Sequence, residues 1–135
     1  MEVPHINHFA VIAAAVANMV VGAIWYSPVL FYRAWMNEAG LTEERLKQAN
    51  MGVMYGVSFI FALVIAYNLA FFLGDESTTA TWGATAGFLA GFGWAAMVFG
   101  AIALFEQRSW KYILINGGYI TVCFTLMGLI IGAWR

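Results

Sequence analysis

The sequence predicts an all-α integral membrane protein, a four-transmembrane-helix bundle in up-down-up-down order with a short interfacial helix between helices one and two. Three observations predict it. Of 135 residues, 63% are hydrophobic and only 10% charged, where a soluble domain carries about 25% charged residues, so charge is too scarce to cover a water-exposed globule. Four apolar runs reach the roughly 20 residues that cross a hydrocarbon core, with Lys, Arg, Asp and Glu only at or beyond their ends. Backbone groups in lipid must be satisfied within the segment, so runs of this length are helices. Finally, two of the connections are tight polar turns, and short turns force antiparallel neighbours. The length allows one domain.

The first span covers residues 6–26. No Lys or Arg precedes it, so it lacks the basic flank of a secretory signal and reads as a retained helix. Ser27-Pro28 offers an N-cap followed by proline at the first helical position, and Gly40 a C′ closure, for a helix over residues 28–39. Leu30, Phe31, Ala34, Trp35 and Met36 among Arg33, Asn37 and Glu38 suit a helix lying in the membrane interface. Thr42 then caps a new helix, with Glu43 and Glu44 at the positive end of its dipole. No strong breaker follows Arg45, so the second span, residues 51–73, is expected to begin near Glu43 with its first turns in water. Gly74-Asp75-Glu76-Ser77 turns the chain into the third span, residues 79–105, and Phe105 to Lys111 turns it into the fourth, residues 110–134.

Positive charge near helix ends sets orientation. Arg33, Arg45 and Lys47 follow span one, Arg108 and Lys111 follow span three, and the other side carries only Arg135. This places both basic loops in the cytoplasm and both termini outside, in the plasma (inner) membrane. Trp25, Tyr26, Trp35, Trp110 and Tyr112 fall at the basic boundary, and Trp82 and Trp134 at the other, where amphipathic rings settle at headgroup depth. Trp94 falls mid-span and is expected to pack between helices. A net charge of −1 gives a nucleic-acid partner no support, and membrane lipid is the partner the composition implies. Cys123 has neither a second cysteine nor ligand spacing around it and reads as a small buried apolar residue.

Small residues form the most specific local pattern. Gly83, Gly87 and Gly91, continued by Ala95, line one face of span three; Gly117, Thr121, Gly128 and Gly132 line span four, and Ala10, Ala14, Asn18 and Gly22 line span one. Such stripes let backbones approach closely, either inside one bundle or between protomers, so a homo-oligomer or a larger membrane complex is expected. Asn18, Asn68 and Asn116 lie at membrane depth with Thr85, Thr121 and Thr125, placed to fix helix register or to line a polar path. No intramembrane carboxylate or cation is present to relay protons. His5-x-x-His8, preceded by Glu2, spaces two imidazoles one turn apart, which suits two ligands of one metal. Two ligands do not make a site, and the pair reads as interfacial histidines at a helix start. No cofactor is named by any motif. Glu106, expected to pair with Arg108, Lys111 or Arg33, is the one well-placed acid.

Trp25-Tyr26-Ser27-Pro28, followed by Phe31 and Trp35, and Phe105-Glu106-x-Arg108-x-Trp110-Lys111, followed by Asn116-Gly117-Gly118-Tyr119 and Gly128, resemble the signatures of domain-of-unknown-function family 1761 over nearly the whole chain. The resemblance implies a small bacterial membrane protein of four helices, and it brings no activity or catalytic residue. Both signatures fall on the basic side, and the Trp25–Trp35 segment is expected to dock against the Glu106–Lys111 turn. The functional expectation is a non-enzymatic structural or accessory subunit, associating through small-residue helix faces. The alternative is a homo-oligomeric transporter or channel with Asn and Thr side chains along its path.

Overall fold

Each helix begins where a polar side chain takes over orphan backbone N–H groups. The computed structural model describes residues 4–135. Asn7 opens α1 (His8–Trp25), its Oδ1 accepting from the N–H groups of Phe9 at 3.0 Å and Ala10 at 3.3 Å. The expected cap at Ser27 is corrected: its hydroxyl donates back to the Ile24 carbonyl at 2.7 Å, so it closes α1. The Leu30 and Tyr32 N–H groups then share the Ser27 carbonyl in a turn, and α2 (Tyr32–Glu38) starts later than the expected residue 28. Gly40 ends α2 at φ 71°. The Gly40 and Leu41 N–H groups donate to the carbonyls of Asn37 and Met36, the paired bonds that a left-handed glycine permits.

Thr42 caps α3 (Glu43–Lys47) at the Arg45 N–H. The expected continuous helix from Glu43 into the second span is also corrected. After Lys47, the Gln48 and Ala49 amides tighten onto carbonyls three residues back, Asn50 adopts an extended ψ of 95°, and its side chain caps α4 (Met51–Phe72) at Val53. An asparagine that satisfies the first turn of the next helix favours a break over continuation at that point.

Thr79 caps α5 (Ala80–Ala90), which passes through a π-helical turn at Gly91–Ala96 into α6 (Met97–Phe105). Gln107 takes a left-handed φ of 64° in the following turn, and Ser109 caps α7 (Trp110–Ala133) at Tyr112. The described residues include no strand. Four helices are long and apolar enough to cross a membrane: His8–Trp25, Met51–Phe72, Ala80–Phe105 and Trp110–Ala133. They make this a multi-pass membrane protein.

The central helix is α7. Its Gly128 and Gly132 meet Gly83 of α5, and its Phe124 and Thr125 meet Gly87. A Cβ on Gly83 or Gly87 would overlap the carbonyl oxygen of Gly128 or Phe124 respectively, so this close approach requires glycine. With no hydrophobic force between helices in lipid, such backbone contact is what dispersion has to work with. The stripe does not continue at Ala95 as expected. The π turn advances it by five residues, from Gly91 to the buried Ala96, because an i to i+5 turn inserts one residue into the 3.6-residue period.

A second face of α7 buries Met127 and Ile131 with Val11 and Ala14 of α1 and Ala66 and Leu69 of α4. On α4, Ala62, Ala66, Leu69 and Ala70 are buried, whereas Met51, Met54, Tyr55 and Phe61 stay exposed. The first half of α4 therefore stands away from the bundle. Trp94 is corrected as well: it is 67% exposed at the rim of the groove between α4 and α5, its ring edge-on to Phe72 at 6.4 Å between centroids.

Candidate functional site

The two aromatic-charged signatures meet at the basic end of the molecule. At the last turn of α1, Trp25 Nε1–H donates to the Ile115 carbonyl at 3.0 Å, and its ring lies against Gly118, where a Cβ would come within 3.1 Å of it. The Tyr26 hydroxyl donates to Asn116 Oδ1, and Asn116 Nδ2 donates to the Tyr112 carbonyl at 3.1 Å. The Tyr26 ring stands edge-on to both Trp35 of α2, at 5.3 Å, and Tyr119 of α7, at 5.2 Å, the arrangement that the ring quadrupoles favour. Beside them, Trp25 tilts over Phe31 at 5.0 Å. Three helices thus hold one aromatic cluster in fixed orientation.

The turn after α6 locks α2 onto this cluster. The Ser109 hydroxyl donates to Glu38 at 2.7 Å, and Arg108 reaches the Ala39 carbonyl at 3.5 Å. The Glu106–Lys111 turn therefore meets the C-terminal end of α2, at Glu38 and Ala39, while the Trp25–Trp35 segment bonds and packs further along α7, at Ile115, Asn116, Gly118 and Tyr119. Arg108 does not take the partner expected for it: its guanidinium lies 5.3 Å from the Tyr112 ring centroid. Glu106 and Trp110 are exposed, and so is Pro28 in the turn ahead of α2.

Between this cluster and the free half of α4 lies a cleft of about 430 Å³, within the roughly 300–1,000 Å³ of small-molecule sites. One wall is Met19, Gly22, Ala23 and Tyr26 of α1, with Tyr119 behind them. The facing wall is Met51, Met54, Tyr55 and Ser58 of α4. Tyr32 and Trp35 of α2 and Leu46 of α3 close the end. No Asp, Glu, Lys, Arg or His lines it. The α4 wall was missed by motif reading, yet its signal is present: positions 51, 54, 55 and 58 share one helix face.

The hydroxyls of the spans fall into two groups. Thr85, Thr121 and Thr125 each donate to the carbonyl four residues back, on their own helix. Asn68 does the same with the Val64 carbonyl at 2.8 Å and sits exposed on α4. Asn18 offers its backbone carbonyl to the Tyr119 hydroxyl, at 3.5 Å, and to the Cys123 thiol, at 3.9 Å; Cys123 itself is buried. Asn18 thus reaches α7 through its backbone carbonyl and Asn116 reaches the cluster through its side chain, while Asn68 stands apart, so the three asparagines do not converge within the protomer. By contrast, the hydroxyls of Tyr32, Tyr55 and Ser58 have no hydrogen-bond partner among the described residues, and all three line the cleft.

At the opposite end the two histidines take separate partners. His5 Nε2 lies 2.9 Å from the Arg135 carbonyl, and His8 Nδ1 lies 2.9 Å from the Tyr67 hydroxyl. Glu2 falls outside the described residues. Among those residues no group of three or more His, Cys, Asp or Glu gathers around a point that could hold a metal. Arg135 donates to the Leu73 and Asp75 carbonyls at 2.7 Å each, and both Ser77 donors reach Asp75 Oδ1 at 2.8 Å. These bonds, with the Arg135 charge nearby, hold the Asp75 carboxyl below its usual pKa.

No curated protein and no solved structure matches the chain. Residues 9–132 match a family model described as "Protein of unknown function (DUF1761)". The match takes in both signatures and, but for His8 and Ala133 at their ends, all four long helices, and the chain belongs to that family.

Proposed function

We propose that this protein is a non-enzymatic accessory component of the inner membrane, and that it holds a small membrane-dissolved molecule in the cleft between α1 and α4. The observation that carries the reading is the cleft itself. Where the first half of α4 parts from the bundle it faces a wall of Tyr26, Tyr119 and Trp35 rather than a smooth aliphatic one. Pockets of this kind, mostly apolar with a few placed polar groups, are the usual form of a ligand site.

In this reading the four long helices run up-down-up-down. The basic turns face the cytoplasm, as the five-to-one distribution of Lys and Arg supports, and both termini lie outside. The α2 helix rests in the interface with Trp35 turned toward the cleft. The glycine face of α5 is used against α7 within the protomer, so association with a larger complex or a second copy falls to other surfaces. Gly52 and Gly56 favour α4 for this: a Cβ on Gly56 would meet nothing, and one on Gly52 only its own cap Asn50.

The test is recovery of the bound molecule. The full chain is extracted in lipid nanodiscs and its retained small molecules are identified by native mass spectrometry, alongside Ser58→Phe, which fills the cleft from an exposed position. Wild type is expected to retain a discrete species that the variant lacks, at equal thermal stability. An unchanged set of bound species in Ser58→Phe would overturn the cleft as the binding site.

A further inference from the structure

We infer that the cleft takes a neutral, ring-headed amphiphile whose head carries hydrogen-bond-accepting carbonyls, its alkyl or prenyl tail leaving between α1 and α4 into the bilayer. This rests on the cleft being a ligand site and adds the chemistry of what fills it. Three independent features of the lining select that class.

Charge comes first. Among the described residues no side chain charged at neutral pH lines the cleft, and an ionic head drawn into it would lose its hydration with no counter-charge in return. That excludes fatty acids and the charged heads of phospholipids. Shape comes second. The Tyr26, Tyr119 and Trp35 rings are held edge to face on one side, with Tyr26 further fixed by its bond to Asn116. Met51 and Met54 stand on the other side. Flat rings bounded by aromatic edges and polarisable thioethers are well matched to a planar head, whereas an acyl chain gains only non-directional dispersion from such a wall.

Hydrogen bonding comes third. The threonine hydroxyls of the other spans are satisfied by their own helices, but the Ser58 hydroxyl makes no such bond to the carbonyl four residues back, and Tyr55 and Tyr32 also find no partner among the described residues. Ser58 sits seven residues into α4, about 10 Å along the helix axis. A donor at that depth without an acceptor carries a desolvation cost. Carbonyl oxygens on a ring spanning Tyr32, Tyr55 and Ser58 would remove it, which places the head at the basic end and the tail toward the bilayer centre.

The experiment uses the full chain in phosphatidylcholine nanodiscs, titrated with decylubiquinone and read by quenching of tryptophan fluorescence, with displacement by unlabelled competitors. Decylbenzene supplies the same tail and a ring without carbonyls, decanoate supplies the tail with a charge, and added phosphatidylglycerol supplies an anionic lipid head. Decylubiquinone is expected to bind about tenfold or more tightly than decylbenzene, and neither decanoate nor phosphatidylglycerol is expected to displace it. The double variant Tyr55→Phe/Ser58→Ala keeps the apolar walls and is expected to bring decylubiquinone down to the affinity of decylbenzene. Equal binding of the two ring compounds by wild type, an undiminished preference in the double variant, or displacement by the anionic probes would each overturn the ligand class. These results leave the cleft standing as a site if Ser58→Phe still abolishes binding; loss of effect in Ser58→Phe removes both.

Discussion

Gly87→Ala adds a single methyl group at the tightest seam of the bundle, and the structure gives its cost. The new Cβ would overlap the Phe124 carbonyl oxygen and lie 3.2 Å from Thr125 Cα. Both are backbone atoms of α7 and cannot rotate aside, so α5 and α7 have to part. A separation of about 0.5–1 Å forfeits a quarter to a half of the dispersion energy at each contact along the seam, and overpacking of this kind costs about 1–3 kcal/mol. Alanine returns at most ~1 kcal/mol of helix propensity. Gly93→Ala is the matched control: it lies on the same span with nothing within 4 Å of its Cβ, so only the propensity gain applies. The two variants should therefore differ by roughly 2 kcal/mol, a ~30-fold difference in the unfolding constant. Equilibrium unfolding of the purified protein in mixed micelles, followed by circular dichroism, measures both. Equal stabilities would refute the claim that this seam depends on backbone contact.

Four further outcomes follow from the same contacts. Tyr26→Phe removes the hydroxyl donated to Asn116 but keeps the ring packing; it should cost about 0.6–1.5 kcal/mol in the same unfolding assay, and it should add nothing in an Asn116→Leu background, which has already lost that bond along with the one to the Tyr112 carbonyl. Asp75 is fully exposed, and its folded-state pKa lies below the unfolded value; its contribution is therefore present above the unfolded pKa and lost as pH falls through the lower folded one. Asp75→Asn should flatten the acid limb of a stability-versus-pH curve by lowering stability slightly at neutral pH and meeting the parent curve at low pH, and an unaltered acid limb would count against the Ser77 bonds. Cysteines placed at Asp75 and Glu44 test orientation with an impermeant maleimide in intact cells: Asp75→Cys should label and Glu44→Cys should not, with little background from Cys123 at 1% exposure. Deleting Gly93 removes the extra residue that the π turn accommodates, so it should give an unbroken α-helix with Ala96 four residues after Gly91 and with Ala103, 1% exposed in the native chain, still facing the bundle; stability should change little, and a large fall on unfolding in micelles would refute this.

Much of this architecture was legible because its causes are local. The spans follow from uninterrupted apolar runs, and Gly40 and Thr42 end and start helices through bonds reaching no further than five residues. The break before Met51 was illegible for a physical reason: Asn50 caps as well as it continues a helix, and only the competition between those two uses decides. The shift from Ala95 to Ala96 was hidden similarly, since a π turn depends on which neighbour the helix meets, and here Gly117 of α7 receives Ala96. Signature residues could be placed on one end of the bundle from sequence. That Tyr26 finds Asn116, or that Glu38 finds Ser109, depends on contacts about 70 to 90 residues apart.

The cleft is written into α4 as a gradient of size along one face. Positions 51, 55, 58, 62, 66 and 69 fall on a common stripe of a 3.6-residue helix. Its second half presents Ala62, Ala66 and Leu69, all buried, and α1 answers with Ala10, Val11, Ala14 and Ala15, also buried. Small residues on both helices bring the backbones together there. Toward the basic end the same stripes carry Met51 and Tyr55 on α4, and Met19 and Tyr26 on α1. These are too large to interdigitate at that spacing, so the helices diverge as a wedge. The short connection through α2 and α3 then holds the wide end open, because α2 is bound to α7 by Ser109 and Glu38 and cannot follow α4. Changing Met51 and Tyr55 to alanine should let α4 close on α1, and a cysteine pair at Ala23 and Met54 should then cross-link more readily than in the parent chain.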